Sequence, residues 1–187
     1  MTRIIAGVHG GRRLSAPSGA HTRPTSDRVR EAFFSALETM TELSGARVAD
    51  LYAGSGAIGL ESLSRGASHA LLVEADAKAA RVIRDNVVLL KVGPATRLVT
   101  GKVLQVLGDP PAGGPYDVVF ADPPYELGDD EIDTVQRELV ANGWLSDDAV
   151  VIFERSRRSG PMNWVDGLAG DRTRRYGDTT LWYGRRS

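Results

Sequence analysis

The sequence contains no cysteine at all. A disulfide framework, a thiolate metal site and a cysteine nucleophile are therefore excluded. Methylation of cytosine at carbon 5 is also excluded, because that reaction normally begins with an attacking thiolate. Histidine is scarce as well: the three residues are scattered, no H-E-x-x-H cluster exists, and we predict no metal.

Long apolar runs are also missing. The first thirty residues hold no apolar core of a signal peptide, and no stretch approaches the roughly 18 apolar residues that span a bilayer. We therefore expect a soluble, cytoplasmic protein with no membrane partner. At 187 residues and 42% apolar content, the chain can form one globular domain with a substantial core.

Charge is divided unevenly along the chain, although the net charge is only −1. Residues 1–30 carry +5, residues 31–154 carry −11 and residues 155–187 carry +5, and all fourteen cations of the two ends are arginines. Arginine presents a planar fork that matches phosphate and stacks on bases. Two basic ends favour a polyanionic partner laid along one face. The alternative is an arginine-rich codon bias that serves solubility alone.

From residue 46 onward, short apolar segments alternate with amphipathic stretches. The predicted strands cover residues 48–52, 69–73, 97–100, 116–121 and 149–153, and the predicted helices cover residues 57–65, 76–91 and 130–141, with a short helix after residue 100. Residues 172–184 alternate about a Gly-Asp turn, which predicts a terminal antiparallel hairpin. The pattern indicates an α/β fold with a mostly parallel sheet and right-handed crossovers.

The N-terminal residues predict a small β-hairpin extension. Residues 3–6 and 13–16 are extended runs around a glycine-rich turn, and an irregular stretch follows over residues 17–24. A helix begins near Thr25 or Ser26, either of which is a good N-cap, and we predict that Gly45 ends this element. We divide the chain into an extension, residues 1–24, and a main domain, residues 25–187.

A glycine turn separates the first strand of the main sheet from its helix. Gly54, Gly56 and Gly59 satisfy the pattern G-x-G-x-x-G. Glycines let the backbone approach a ligand closely, and the following helix offers free N–H donors. Alone the pattern is weak, because such a turn also serves tight packing.

Two acidic residues indicate which ligand this turn binds. Glu74 ends the next strand, where a carboxylate can accept both hydroxyls of a ribose. Asp50 precedes the glycines, where its charge would repel the pyrophosphate of a dinucleotide. S-adenosylmethionine has no phosphate and carries an ammonium and a sulfonium, so Asp50 favours that cofactor. The alternative is that Asp50 only bonds the turn.

The tetrapeptide Asp122-Pro123-Pro124-Tyr125 follows directly on a nearly uninterrupted apolar strand. Ligands of an open parallel sheet bind beyond the carboxyl ends of its strands, so we expect this turn to share an edge with the glycine turn. Two prolines make the turn stiff, which suits a task of holding a planar group still.

The tetrapeptide suits methylation of an exocyclic amine, a poor nucleophile whose lone pair is delocalised into the ring. The Asp122 carboxylate and the Pro123 carbonyl can accept its two hydrogens and direct the lone pair toward a methyl group. Tyr125 can stack on the base, a contact worth about 1–3 kcal/mol. Most of the catalysis would be positioning of a base that has left its stack. The structural alternative is a proline turn that ends a strand.

Asp/Asn-Pro-Pro-Tyr is the signature of amino-methyltransferases that act on DNA adenine, rRNA guanine or protein glutamine. Over its whole length the chain resembles the RsmD family, the 16S rRNA guanine(966)-N2 methyltransferases. The resemblance rests on Arg3-Ile4-Ile5-Ala6-Gly7, Arg23-Pro24-Thr25, Arg30-Glu31-Ala32-Phe33, Asp50-Leu51-Tyr52-Ala53-Gly54-Ser55-Gly56, Phe120-Ala121-Asp122-Pro123-Pro124-Tyr125 and Tyr176-Gly177-Asp178-Thr179.

The resemblance implies a Rossmann-like class I methyltransferase fold with a seven-stranded sheet and a target guanine in 16S rRNA of the 30S subunit. We separately expect a monomer. It places Arg23, Thr25 and Arg30 near the cofactor and base pocket and the hairpin against rRNA. Asp122, Pro123, Pro124 and Tyr125 are the predicted catalytic residues, and Arg3, Arg12, Arg13 and Arg23 the predicted RNA contacts. The predicted cofactor contacts are Thr25, Arg30, Asp50, Ala53, Gly54, Ser55, Gly56, Glu74, Ala75, Lys102, Val103 and Asp122.

One segment departs from the pattern of such enzymes, which often carry an Asp or Asn just after the third strand to bond the adenine of the cofactor. Here the sequence reads Thr100-Gly101-Lys102-Val103, so we expect adenine to meet backbone groups near Lys102.

Three other functions remain open: a DNA adenine-N6 methyltransferase, a catalytically idle rRNA-binding assembly factor, and a dinucleotide oxidoreductase. The first is disfavoured because the chain has no separate target-recognition region, and the second because the tetrapeptide is intact.

Overall fold

A computed structural model describes residues 2–18 and 26–187 of the protein. Within them, seven strands form one sheet in the order β5-β4-β3-β6-β7-β9-β8, and two short strands form a separate hairpin, β1-β2. Strands β3 to β7 run parallel, and β9 pairs antiparallel with β7 on one side and with β8 on the other. This Rossmann-like architecture confirms the predicted fold class.

The elements follow the predicted alternation of strand and helix. In chain order they are β1 Thr2–Arg3, β2 Arg13–Leu14, α1 Asp27–Met40, β3 Arg47–Asp50, α2 Ala57–Ser64, β4 His69–Glu74, α3 Ala77–Leu90, β5 Thr96–Thr100, α4 Val103–Leu107, β6 Tyr116–Ala121, α5 Asp129–Ala141, β7 Leu145–Ser156, β8 Leu168–Tyr176 and β9 Thr179–Arg186.

Helix α1 begins as predicted and ends earlier than predicted. The Oγ of Ser26 accepts the N–H of Val29 at 3.2 Å, which makes Ser26 the N-cap. The helix stops at Met40, since Thr41 is extended at φ −154° and ψ 157°. The prediction that Gly45 ends this element is therefore wrong. A β-branched residue loses side-chain freedom in a helix, which favours the break at Thr41.

Strand β7 is longer than predicted, because it starts at Leu145 rather than near Ala149. The polar residues Ser146, Asp147 and Asp148 interrupt the apolar pattern, so the sequence did not indicate that the strand begins before them. Asp148 takes a positive φ of 60°, and the register with β6 shifts in the same part of the strand.

The sheet has a hydrophobic core on each face. Helices α1, α2 and α3 cover one face and pack against residues such as Leu72 and Val118. Helices α4 and α5 cover the other face and pack against residues such as Leu71 and Val119. Neighbouring residues of β4 and β6 thus point to opposite cores, which explains why these strands read as continuous apolar runs.

We refer to residues 2–18 as the N-terminal arm. Ile4 and Leu14 are 0% and 2% exposed and belong to the same core as α1 to α3. The arm therefore packs on the body of the protein through its own apolar side chains. The division of the chain at residue 24 stays a prediction.

Candidate active site

The glycine turn and the tetrapeptide lie at the same edge of the sheet. Strands β3 and β6 are parallel neighbours in which Asp50 pairs with Phe120, and the N–H of Leu51 donates to the Phe120 carbonyl at 2.9 Å. Residues 53–56 and Asp122 therefore leave adjacent strands at their carboxyl ends, as predicted from the topology. We call this edge the catalytic rim.

Asp50 is a buried carboxyl group at the catalytic rim, only 1% exposed. Its Oδ2 accepts the N–H of Gly59 in the first turn of α2 at 3.2 Å. Burial raises the pKa of Asp50 from its usual 3.8 to about 7; the negative charges of Asp122 and Glu74 add to the rise, and the Gly59 bond opposes it. The carboxyl group thus changes charge near neutral pH.

Glu74 connects β4 to the glycine turn. Its Oε1 accepts the N–H of Gly54 at 2.8 Å, and its Oε2 accepts the N–H of Asp76 at 2.9 Å. Each carboxylate oxygen retains a second lone pair for a ligand hydroxyl. The hydrogen bonds fix the carboxylate beside the backbone of residues 53–56.

The glycine turn has the backbone that a close ligand requires. Gly54 and Gly56 take positive φ values of 58° and 82°, and a Cβ on Gly54 would meet no protein atom within 4 Å. The N–H of Gly56 donates to the Ala53 carbonyl at 2.7 Å, which closes a tight turn. The turn therefore leaves open space at Gly54, at the catalytic rim.

The predicted adenine side lies next to Glu74. The N–H of Gly101 donates to the Glu74 carbonyl at 3.0 Å, and Ala75 is exposed beside it. Lys102 is exposed and caps α4 through its carbonyl, whereas Val103 is 7% exposed. The structure thus gathers these residues at the rim, and their contact with a cofactor stays a prediction.

The tetrapeptide turn is exposed, and Tyr125 is 62% exposed. A cavity of about 50 Å³ lies beside it. The residues that line this cavity are Asp122, Pro123, Pro124, Tyr125, Glu154, Arg155, Ser156, Ser159 and Thr179. Glu154 lies near the end of β7. The sequence analysis missed the contribution of the C-terminal hairpin, whose Thr179 closes a motif of the family resemblance.

The Arg30 side chain is buried and bonded to other groups of the protein. Its side chain is 1% exposed; Nη1 donates to the Arg3 carbonyl at 2.7 Å, and Nη2 donates to Asp27 at 2.7 Å. The buried Glu61 carboxylate lies 4.0 Å from Nη1. These contacts attach the N-terminal arm to α1 and α2, and a role of Arg30 toward a ligand stays a prediction. Thr25 and Arg23 lie outside the described residues.

The predicted RNA contacts of the arm differ in how far their charge is available. Arg3 forms an ion pair with Asp27 at 2.6 Å, and Nη2 of Arg12 donates to the Leu89 carbonyl at 3.0 Å. Arg13 is exposed. Two of the three are therefore held by the protein itself.

A second group of arginines flanks the cavity of the tetrapeptide. Arg157 and Arg158 form the turn between two lining residues, Ser156 and Ser159. Arg174 and Arg175 are exposed near the end of β8, where Arg175 pairs with Thr180 of β9. Across the part of the chain that is described, none of the four forms an ion pair. We call them the C-terminal arginines: Arg157, Arg158, Arg174 and Arg175.

Sequence reasoning also missed Asn86, which is 1% exposed on α3. Its Nδ2 donates to the carbonyl of Ser55 in the glycine turn at 2.9 Å. The sequence did contain a signal for this residue: Asn86 is a polar residue on the apolar face of α3, which it shares with Ile83 and Leu90 at helical spacing.

A larger open groove of about 470 Å³ lies at the opposite edge of the sheet, where β3 and β6 begin. Ala46, Asp117 and Asp148 are among its lining residues, and it contains none of the predicted site residues. The chemistry-bearing side chains are at the catalytic rim, so we place the site there rather than in the larger groove.

Within residues 2–18 and 26–187, no group of three or more metal-ligating side chains comes together. Over the same residues, no helix has the length and apolarity that a membrane span needs.

Comparison with known proteins gives consistent results. The sequence profile of the family described as Conserved hypothetical protein 95 matches residues 2–185. Ribosomal RNA small subunit methyltransferase D of Escherichia coli K12 is 40% identical over 166 residues, which cover 87% of this chain and 80% of that protein. The protein of the same name from Haemophilus influenzae is 33% identical over 169 residues, covering 87% and 84%.

Among solved structures, an Escherichia coli protein, yhhF, provisionally named a methyltransferase, superposes with a TM-score of 0.86. It is 33% identical, and the match covers 98% of this chain and 97% of that one. An RNA methyltransferase from Salinibacter ruber in complex with S-adenosyl-L-homocysteine has a TM-score of 0.64 at 18% identity, covering 88% and 94%. At that identity the second likeness concerns the fold alone.

Proposed function

Because the chain belongs to the family described as Conserved hypothetical protein 95, the RsmD family, we propose that it methylates 16S rRNA. The proposed reaction transfers a methyl group from S-adenosylmethionine to the exocyclic N2 of a guanine in the small ribosomal subunit. The observation that carries this proposal is the placement of Asp122 and the glycine turn on adjacent strands of one rim.

The residues of the rim fit this cofactor. The open space at Gly54 accommodates a ligand against the backbone, and Glu74 is fixed where its carboxylate can accept ribose hydroxyls. When bound, S-adenosylmethionine supplies an electrophilic methyl group on a sulfonium. This cofactor contains no phosphate that the Asp50 carboxylate would repel. In its ionised form Asp50 stabilises a nearby ammonium group.

The tetrapeptide orients the amine. The Asp122 carboxylate and the Pro123 carbonyl accept hydrogen bonds from the two N–H groups of the amine, so the nitrogen lone pair is directed toward the glycine turn. A strong general base is unnecessary, because the methylated cation loses its proton readily. The rate gain comes mainly from holding the amine in line with the methyl group.

Tyr125 provides a stacking surface for an extruded base. Its ring is 62% exposed on a stiff turn, which suits stacking better than core packing. The adjoining cavity of about 50 Å³ is small compared with the roughly 300–1,000 Å³ of ligand pockets. The base therefore enters this cavity only in part unless its walls move apart.

The C-terminal arginines support an RNA substrate. They lie on the tetrapeptide side of the rim, where their guanidinium groups can contact phosphates next to an extruded nucleotide. We propose that they act together with Arg3, Arg12, Arg13 and Arg23. The proposed partner is therefore the 30S subunit or an assembly intermediate of it.

The test is methyl transfer from labelled S-adenosylmethionine to 30S particles that lack the modification, with mass mapping of the methylated nucleotide. We expect one labelled guanine with the methyl on N2, and no label with Asp122→Ala. Transfer that is equal in the Asp122→Ala variant would refute the assigned site. Stronger labelling of adenine in duplex DNA than of 30S particles would instead favour a DNA adenine-N6 methyltransferase.

A further inference from the structure

One buried amide joins the N-terminal arm to the glycine turn. Nδ2 of Asn86 donates to the Ser15 carbonyl and to the Ser55 carbonyl, both at 2.9 Å, and Oδ1 accepts the N–H of Ser15 at 2.8 Å. Both donor hydrogens of the amide are thus used, one on each segment. The side chain is 1% exposed, so water cannot replace these bonds without opening the structure.

The arm is attached a second time to α2, the helix that begins directly after the glycine turn. The Glu61 carboxylate accepts the N–H groups of Ile5 at 2.8 Å and Ala6 at 3.0 Å. A Cβ on Gly7 would lie 1.9 Å from the Ser64 carbonyl oxygen, so the arm backbone touches α2 without clearance. The arm is therefore attached to both of the helices that follow the glycine turn, α2 and α3.

We propose that Asn86 is a positioning residue that couples docking of the N-terminal arm to the conformation of the glycine turn. The arm holds the amide of Asn86, and the amide in turn holds Ser55, which adjoins the open space at Gly54. The identity of that ligand rests on the proposed function, whereas the coupling itself is a property of the free protein.

The coupling has a consequence for binding. Arg12 and Arg13 lie on the arm, so RNA bound there stabilises the docked arm and, through Asn86, the glycine turn. Coupling between two sites is reciprocal, so the cofactor strengthens RNA binding by the same factor.

The first test changes the arm and leaves the turn untouched. Ser15→Pro removes the N–H that Oδ1 of Asn86 accepts, and Ser15→Ala retains it. Leu14 is already extended in β2, the conformation that a following proline favours. We expect hydrogen exchange at the amides of residues 54–60 in the ligand-free protein to be about five-fold faster in Ser15→Pro than in Ser15→Ala. We expect the Kd for S-adenosylhomocysteine to rise by a similar factor.

A second pair of variants separates positioning from general stability. Asn86→Asp removes both donor hydrogens without changing the shape of the side chain. Gln136→Glu is the matched control, since Gln136 is a 0% exposed amide on α5 that donates to the Asn163 carbonyl at 2.8 Å. We expect both to lower the Tm, but only Asn86→Asp to weaken S-adenosylhomocysteine binding, by about ten-fold.

Equal exchange rates in the two Ser15 variants would overturn the coupling, and they decide the matter even where Asn86→Asp fails to fold. Faster exchange in Ser15→Pro, together with a wild-type protein that does not bind S-adenosylhomocysteine, would uphold the coupling and refute the proposed cofactor.

Discussion

On the glycine-turn side of the catalytic rim, acidic and amide side chains are bonded to the backbone of the protein, whereas on the tetrapeptide side the C-terminal arginines are exposed to solvent. Asp50 and Glu74 bond to the backbone of residues 54–76, and Asn86 holds Ser55. Across the rim, Tyr125 and the C-terminal arginines are exposed, and the cavity between them measures about 50 Å³. Under the proposed function, the cofactor side is formed in advance, and contacts with RNA are added on the other side. Variants on the two sides should therefore affect different steps.

The largest effect is expected for Asp122→Ala. Loss of the acceptor proposed for the reacting amine should lower kcat by about 100- to 1,000-fold, an effect comparable to removing one oriented group from other active sites. The Kd for S-adenosylhomocysteine should change much less than kcat, since Asp50, Glu74 and the glycine turn keep their own bonds. Single-turnover rates and calorimetric titration measure the two quantities.

Asp122→Asn should be milder than Asp122→Ala, because its amide keeps one acceptor oxygen. Asp130→Ala, which removes an exposed acid from the first turn of α5, serves as the surface control. Parallel losses of kcat and cofactor affinity in Asp122→Ala would erase the distinction between the two sides.

Glu74→Ala is the corresponding change on the cofactor side. It leaves the N–H of Gly54 without its acceptor and removes the proposed ribose contact. We expect the Kd for S-adenosylhomocysteine to rise by roughly 10- to 100-fold, because hydrogen bonds to charged groups contribute about 1.5–3 kcal/mol each. The value of kcat at saturating cofactor should change little. Glu74→Gln keeps one acceptor oxygen, so its Kd should lie between those of the wild type and Glu74→Ala. A kcat defect in Glu74→Ala would contradict the assignment of the two sides of the rim to different steps.

The C-terminal arginines should matter for RNA alone. Replacing Arg157 and Arg158 together by glutamine removes two proposed phosphate contacts. The slope of log K against log salt concentration should become shallower by about 1.5, and affinity for 30S particles should fall by about ten-fold.

The matched double variant on the arm replaces Arg3 and Arg12, whose guanidinium groups already contact Asp27 and the Leu89 carbonyl. Filter binding at several salt concentrations should show a smaller change in the slope of log K against log salt for this arm variant than for the Arg157 and Arg158 variant. A larger change for the arm pair would show that RNA displaces these internal contacts.

The smallest predicted effect is the pH dependence that Asp50 gives to cofactor binding. With a pKa of about 7, this carboxyl is largely neutral at pH 6 and largely ionised at pH 8. Only the ionised form favours the ammonium of the ligand, so affinity for S-adenosylhomocysteine should rise by roughly five-fold between these values. Asp50→Asn should abolish the rise, and an affinity that falls with pH would contradict the assignment.

The same ionisation has the opposite sign for folding of the ligand-free protein. The folded carboxyl has the higher pKa, so the native state binds more protons than the unfolded chain between about pH 4 and pH 7. The contribution of Asp50 to the free energy of unfolding therefore declines as pH rises through this range. Urea titrations of wild type and Asp50→Asn measure the difference.

Local pattern was sufficient for most of the fold. Ser26 indicated the start of α1, and the apolar run before Asp122 gave a strand with the predicted bounds, Tyr116–Ala121. The topology of parallel strands then placed the glycine turn and the tetrapeptide on one rim. These inferences succeed because helix caps, strand periodicity and sheet connections depend on neighbouring residues and general packing rules.

The rest depends on contacts between residues far apart in sequence. Arg30 bonds a carbonyl 27 residues earlier, and Asn86 bonds Ser15 at a separation of 71 residues. No spacing within either helix specifies such a partner. The same holds for the cavity beside Tyr125, since Thr179 reaches it only through the antiparallel register of β9 with β7.

The attachment of the arm to Glu61 also sets an order of events during synthesis. The N–H groups of Ile5 and Ala6 are translated 56 and 55 residues before Glu61, whose carboxylate accepts them. The arm consequently docks only after the glycine turn and α2 have been made, and its contact with α3 forms later still. Because contacts of long sequence separation form slowly, the nascent chain carries an undocked, arginine-bearing arm until at least α2 has been made.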